Sequence, residues 1–180
     1  MKSEQHDIKK AAQEIGEGLA KTKPNDIDQL ASKTMKRGVL TKDALGLSDQ
    51  MVEGIYAQAY RLYNTGKYKD ASQLFRLLIM LNASDPKYAL GLAACFHMMK
   101  EYKSAIEMYT VCGITDPNNP IPFYHASDCF TQMGDKMSAM IALEMAIKRS
   151  GEKPEFQQLK DRSVMTLQSL KKEIAKPKEI

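Results

Sequence analysis

Three cysteines, Cys95, Cys112 and Cys129, stand 17 residues apart, and His6, His97 and His125 are the imidazoles of this 180-residue chain. Evenly spaced thiols could form a metal site or disulfides, and an imidazole could serve as a general base. The pattern supports neither use. No C-x-x-C pair exists and all three cysteines fall inside helix-forming stretches, so buried structural cysteine is the favoured reading. His97 has no carboxylate or cysteine partner implied by its spacing, His125 falls on a helix flank, and His6 lies in a polar end. The chain has no phosphate loop, G-x-S-x-G or H-E-x-x-H, so it offers no catalytic residue, metal ligand or cofactor site.

Seventeen is half of a longer period. Pro86, Pro120 and Pro154 recur every 34 residues, with Val52 at the same position one period earlier. Counting each of these as position 1, position 8 holds Ala59, Ala93 and Ser127, and position 20 holds Ala71, Ala105 and Ala139. Position 24 holds Phe75, Tyr109 and Leu143, and position 17 holds Tyr68, Tyr102 and Lys136. Small residues at 8 and 20 let two helices approach closely, and the larger residue at 24 fills the space beside them. Position 15 is Gly66, Lys100 and Gly134, where a first helix must end in a left-handed residue. Proline suits a first helical turn, and Asp85 and Asn119 just before it are good N-caps.

These columns resemble the tetratricopeptide repeat, including Pro117 at position 32 of the middle unit, where the other units hold Ala83 and Gly151. The expected fold is all-α: three repeats over 52–85, 86–119 and 120–153 form a short right-handed solenoid. Its helices are expected near 49–64, 69–82, 86–99, 103–115, 120–133 and 137–149. Beyond Pro154, the helical spacing of Phe156, Leu159, Val164, Leu167, Leu170 and Ile174 predicts a capping helix over 154–175, with a frayed tail at 176–180. Residues 1–50 do not fit the repeat. Ile8, Ala12, Ile15 and Leu19 form a narrow stripe, and a second short helix is expected from Asp26 to Arg37. So thin a stripe either folds back on the solenoid or meets a second copy of the chain. Ser48 is a candidate cap for the first repeat.

Composition narrows the function classes. The polar start MKSEQHDIKK has no signal-peptide core and no apolar run reaches membrane-spanning length, which points to a cytosolic protein without stable membrane insertion. A net charge of +4 is modest, and the lysines of the last ten residues read as a solvated end, not a nucleic-acid patch. Twelve methionines suit either a surface for varied apolar partners or gap-filling between helices. Gap-filling is preferred for most of Met80, Met108, Met133, Met140 and Met145.

Function should therefore lie on a binding face. In tetratricopeptide arrays the first helix of each hairpin lines the concave side, chiefly through positions 2, 5, 9, 12 and 13. These select Glu53, Tyr56, Tyr60, Tyr63 and Asn64; Lys87, Leu90, Ala94, His97 and Met98; and Ile121, Tyr124, Asp128, Thr131 and Gln132. The strongest candidates for partner contact are Tyr56, Tyr60, Tyr63, Leu90, Ala94, His97, Met98, Tyr124 and Asp128, although Tyr60 fits a packed role equally well. Tyrosines where clamp lysines and asparagines would stand disfavour a carboxylate clamp, and Tyr56, Leu90 and Tyr124 disfavour base reading. A tyrosine floor suits an extended peptide with apolar side chains, each buried anchor contributing about 1.5–3 kcal/mol.

Residues 46–78, 88–112, 122–135 and 153–162 carry a more specific likeness. They resemble the class II chaperones of bacterial type III secretion, the SycD/LcrH type, over about residues 39–170. A three-residue extension after Leu78 is read as part of that likeness. The resemblance implies a non-enzymatic cytoplasmic chaperone that binds an extended N-terminal segment of a hydrophobic translocator in the groove, keeping it export-competent. It also implies homodimers through an N-terminal helix, and it matches Tyr56, Tyr63, Tyr68 and Tyr109 to family tyrosines. Tyr68 and Tyr109 serve packing between hairpins at least as well. The alternative is a generic peptide-binding scaffold or regulatory adaptor on the same repeat.

Overall fold

Three left-handed residues, Gly66 and Gly134 at φ 78° and Lys100 at φ 62°, mark where the chain reverses, each one period from the next. In the computed structural model, which describes residues 46–175, each reversal closes with the same pair of backbone bonds. Gly66, Lys100 and Gly134 donate to the carbonyls of Tyr63, His97 and Thr131, while Lys67, Glu101 and Asp135 donate to those of Leu62, Phe96 and Phe130. This is the Schellman closure, and its left-handed residue favours glycine because a Cβ crowds the backbone there.

Six helices form three antiparallel hairpins: α1 (Asp49–Asn64) with α2 (Tyr68–Leu81), α3 (Pro86–Met98) with α4 (Tyr102–Thr115), and α5 (Ile121–Gln132) with α6 (Lys136–Ser150). A 3₁₀ turn (Pro154–Phe156) leads into α7 (Gln157–Ala175), which packs on α6. The helix starts follow the capping residues. Ser48 Oγ accepts from the Met51 amide, Asp85 Oδ1 from Lys87 and Asn119 Oδ1 from Ile121, at 3.0–3.2 Å. Asp135 accepts from the Ser138 amide, and hydrogen bonding from the Ser138 side chain and then from this amide holds its carboxyl below the usual range.

The repeat columns are the core. Ala59, Ala93, Ala71, Ala105 and Ala139 have no solvent exposure, and Phe75, Tyr109 and Leu143 are buried beside them. One cluster runs from Val52 to Cys129, and a second joins Ala139 and Leu143 to Leu167 and Leu170 of α7. Close approach has a further cause at two glycines. A Cβ on Gly91 would run into the ring of Phe75, and one on Gly113 into Phe123.

Several expectations change. The extension after Leu78 is not there: α2 and α4 end at Leu81 and Thr115, one period of 34 apart, and four residues, 82–85 and 116–119, precede Pro86 and Pro120. Position 32 lacks its proline in the first unit by substitution, not insertion. Asn82 Oδ1, accepting from the Ser84 amide and hydroxyl, shapes that turn instead. Met80 and Met133 are exposed and fill no gap, whereas Met108, Met140 and Met145 are half-buried. In α7, Ile174 is exposed, and Ser163 takes a core place by donating to the Leu159 carbonyl. The N-terminal helices expected around Ile8–Leu19 and Asp26–Arg37, the pairing of copies placed there, and the tail 176–180 lie outside the described residues.

Candidate functional site

The face shared by α1, α3 and α5 collects the residues at positions 2, 5, 9, 12 and 13, because steps of three and four residues return to one side of a helix. At one end, Lys87 Nζ of α3 meets Glu53 Oε1 of α1 at 2.7 Å and Asp85 at 3.4 Å. The hydrogen bond to Glu53 raises the ammonium pKa above its ordinary value. The same ammonium sits 4.8 Å from the ring centre of Tyr56 and 5.2 Å from that of Tyr88.

From there an aromatic surface runs along α1. Tyr56 stacks on Tyr60 with centroids 6.5 Å apart and meets Phe75 edge-on. Tyr60 is 55% exposed and Met98 on α3 48%, whereas Tyr56, Tyr63, Leu90, Ala94 and Tyr124 are half-buried. Tyr63 leans on Tyr68 at 5.4 Å, and burial raises its hydroxyl pKa. Tyr56 and Tyr63 thus serve the core as much as the surface. Tyr60 and Met98 are the more exposed side chains.

At the other end, His97 Nε2 of α3 lies 2.9 Å from Asp128 Oδ2 of α5, and His97 Nδ1 lies 3.4 Å from the hydroxyl of Tyr109. His97 therefore does have a carboxylate partner. Sequence spacing concealed it because the two are 31 residues apart, position 12 of one unit against position 9 of the next. His125, expected on a helix flank, stacks on Tyr109 at 5.7 Å and meets His97 at 6.2 Å. Burial, and then the charge of His97, lower the pKa of His125. Tyr88 was also missed as a participant; it is buried and packs 5.8 Å from Tyr56.

Carboxylate, imidazole and hydroxyl in a row have the order of a hydrolytic triad, but the Tyr109 hydroxyl is sealed in the core and burial raises its pKa further. The thiols are equally withdrawn. Cys95, Cys112 and Cys129 are free and buried, and burial pushes them up to about 12, 11 and 12. Among the described residues no group of three or more His, Cys, Asp or Glu side chains is placed to hold a metal, and no helix is long and apolar enough to cross a membrane. What this face can do chemically is hold apolar side chains against tyrosine and methionine, with an ion pair at one end and an imidazole–carboxylate hydrogen bond at the other.

The tetratricopeptide repeat profile matches residues 52–85 and 86–119. The chain is 35% identical over 144 residues to the low calcium response locus protein H of Yersinia pseudotuberculosis, covering 79% of this chain and 86% of that one. It belongs to the SycD/LcrH family of type III secretion chaperones. Among solved SycD/LcrH-type structures, it superposes on the Yersinia enterocolitica translocator chaperone SycD in complex with a peptide of the translocator YopD. That match has a TM-score of 0.68 at 33% identity and covers 70% of this chain and 96% of SycD. SycD has also been solved as an alternative dimer, with a TM-score of 0.69 at 32% identity over 72% of this chain and 98% of that one. The three-hairpin architecture is thus a property of the SycD/LcrH family.

Proposed function

We propose that this protein is a bacterial cytoplasmic chaperone of type III secretion. It holds an extended N-terminal segment of a hydrophobic translocator on the face of α1, α3 and α5, preventing aggregation and premature association until export. Family membership and the YopD peptide held by SycD support the reading. The observation on this chain that carries it is the exposure of two large apolar side chains, Tyr60 and Met98, at groove positions of adjacent repeats whose neighbours Tyr56, Tyr63 and Tyr124 are half-buried. Tyr56, Tyr63, Leu90, Ala94, His97, Tyr124 and Asp128 complete the contact surface. Binding is the whole activity, with no catalytic step, cofactor or nucleic acid. A homodimer through the N-terminal helix fits the family, in which SycD forms dimers.

Burying three anchors at about 1.5–3 kcal/mol each is enough to hold a segment after its ordering costs. The test is co-expression with a type III translocator, a protein with long apolar segments, from the same genome. A soluble complex, where that protein alone precipitates, supports the proposal; a partner that stays insoluble with the chaperone present overturns it.

A further inference from the structure

Position 9 of the three repeats places Tyr60, Ala94 and Asp128 on neighbouring helices of one face. Ala94 is short and half-buried, so the floor dips between a tyrosine at one end and a carboxylate at the other. Asp128 is 51% exposed, and His97, at 18%, stands behind it.

The hydrogen bonds show which oxygen of Asp128 is engaged. Nε2 of His97 lies 2.9 Å from Asp128 Oδ2, and the Tyr109 hydroxyl lies 3.4 Å from Nδ1. Among the described residues Asp128 Oδ1 has no hydrogen-bond partner. Among the described residues no lysine or arginine forms an ion pair with Asp128. The other neighbours, Tyr109, His125 and Cys129, bring no cation, since burial holds His125 toward its neutral form. The opposite end differs: Glu53 is already matched by Lys87.

An extended peptide lying across this face would strip water from Asp128. Covering the open Oδ1 with no donor to meet it is unfavourable, and an apolar side chain over it would forfeit part of what the tyrosine contacts gain. A basic side chain would instead make a charge-assisted hydrogen bond in a water-poor setting.

We propose that the segment bound on this face carries a lysine or arginine that pairs with Asp128, five or six residues along from the apolar side chain that covers Tyr60. The interval follows from geometry. Neighbouring packed helices are about 8–10 Å apart, so two steps span about 16–20 Å, and an extended chain advances about 3.3–3.6 Å per residue. The proposal rests on the reading of this face as the client groove and adds the charge and register of the client.

The probe is a random dodecapeptide display library panned against the full chain and against its Asp128→Asn and Asp128→Lys variants. Asp128 is half-exposed, so all three should fold, with a modest fall in Tm from the lost bond to His97 that a melting curve reads directly. The wild type should return peptides with a large apolar residue and, five or six positions away, lysine or arginine enriched at least fivefold. Asp128→Asn should keep the apolar residue and lose the basic one, and Asp128→Lys should select an acidic residue there. A selected basic peptide should bind Asp128→Asn at least tenfold more weakly. Identical sequences from wild type and Asp128→Asn would overturn the pairing while leaving the groove intact; no enriched peptide on any form would overturn the groove reading and the pairing with it.

Discussion

Glu53 and Lys87 hold the same position in consecutive repeats, and their side chains meet at 2.7 Å across the gap between α1 and α3. Lys87 also covers the rings of Tyr56 and Tyr88, so one ammonium ties a carboxylate and two aromatics at one edge of the α1–α3–α5 face. Both partners remain well hydrated, with side chains 35% and 58% exposed. The pair should therefore contribute little to stability. Lys87→Gln is expected to cost no more than about 1 kcal/mol in urea unfolding, less in high salt.

Lys100 adopts a left-handed conformation that glycine takes in the two sister turns. Lys100→Gly should stabilise the protein by about 1 kcal/mol, raising Tm by about 2–4 °C, because relief of the Cβ clash outweighs the added chain entropy. Gly66→Ala and Gly134→Ala should move Tm the other way.

Gly91 lies under the ring of Phe75, and the space for a Cβ is already taken. Gly91→Ala should destabilise by about 1–3 kcal/mol, despite alanine's better helix propensity. Phe75→Leu costs stability by itself, yet in the Gly91→Ala background its cost should shrink, which a double-mutant cycle would show as coupling.

Folding lowers the pKa of His125 from its ordinary 6.5, through burial and the neighbouring His97. The unfolded chain then binds this proton more readily than the folded one. Its contribution to stability is full above about pH 6.5 and declines as pH falls, until the folded form is protonated as well. His125→Gln should flatten the decline of unfolding free energy with pH over that interval; an unchanged slope would show that His125 does not set it.

All three thiols are buried, with pKa values pushed up to about 11–12. A thiol-specific chromophore should label none of them within minutes on the native protein at pH 8, and all three in denaturant.

Much of this was legible beforehand because a repeat prints its packing many times over. The alanines at position 20 and the large residues at position 24 are buried as their columns implied, and Ser48, Asp85 and Asn119 make the capping bonds their types suggest. Relations between repeats were not legible. The His97–Asp128 contact depends on how far one hairpin is rotated against the next, which no column within a repeat encodes. Tyr88 could have been suspected from its place beside Lys87, but only packing decides which of two adjacent residues turns inward. The family likeness suggested an extension after Leu78, when hydrogen bonds given by Ser84 to Asn82 Oδ1 shape that turn.

If a translocator segment lies against the exposed side chains of the α1–α3–α5 face, charging them should expel it. The decisive measurement is the affinity of the purified translocator for the double variant Tyr60→Glu, Met98→Glu, by titration calorimetry beside the wild type. Both positions are about half-exposed, so the melting curve should hold. Affinity should fall at least a hundredfold with Tm unchanged; wild-type affinity in a variant of unchanged Tm would show that the segment binds elsewhere.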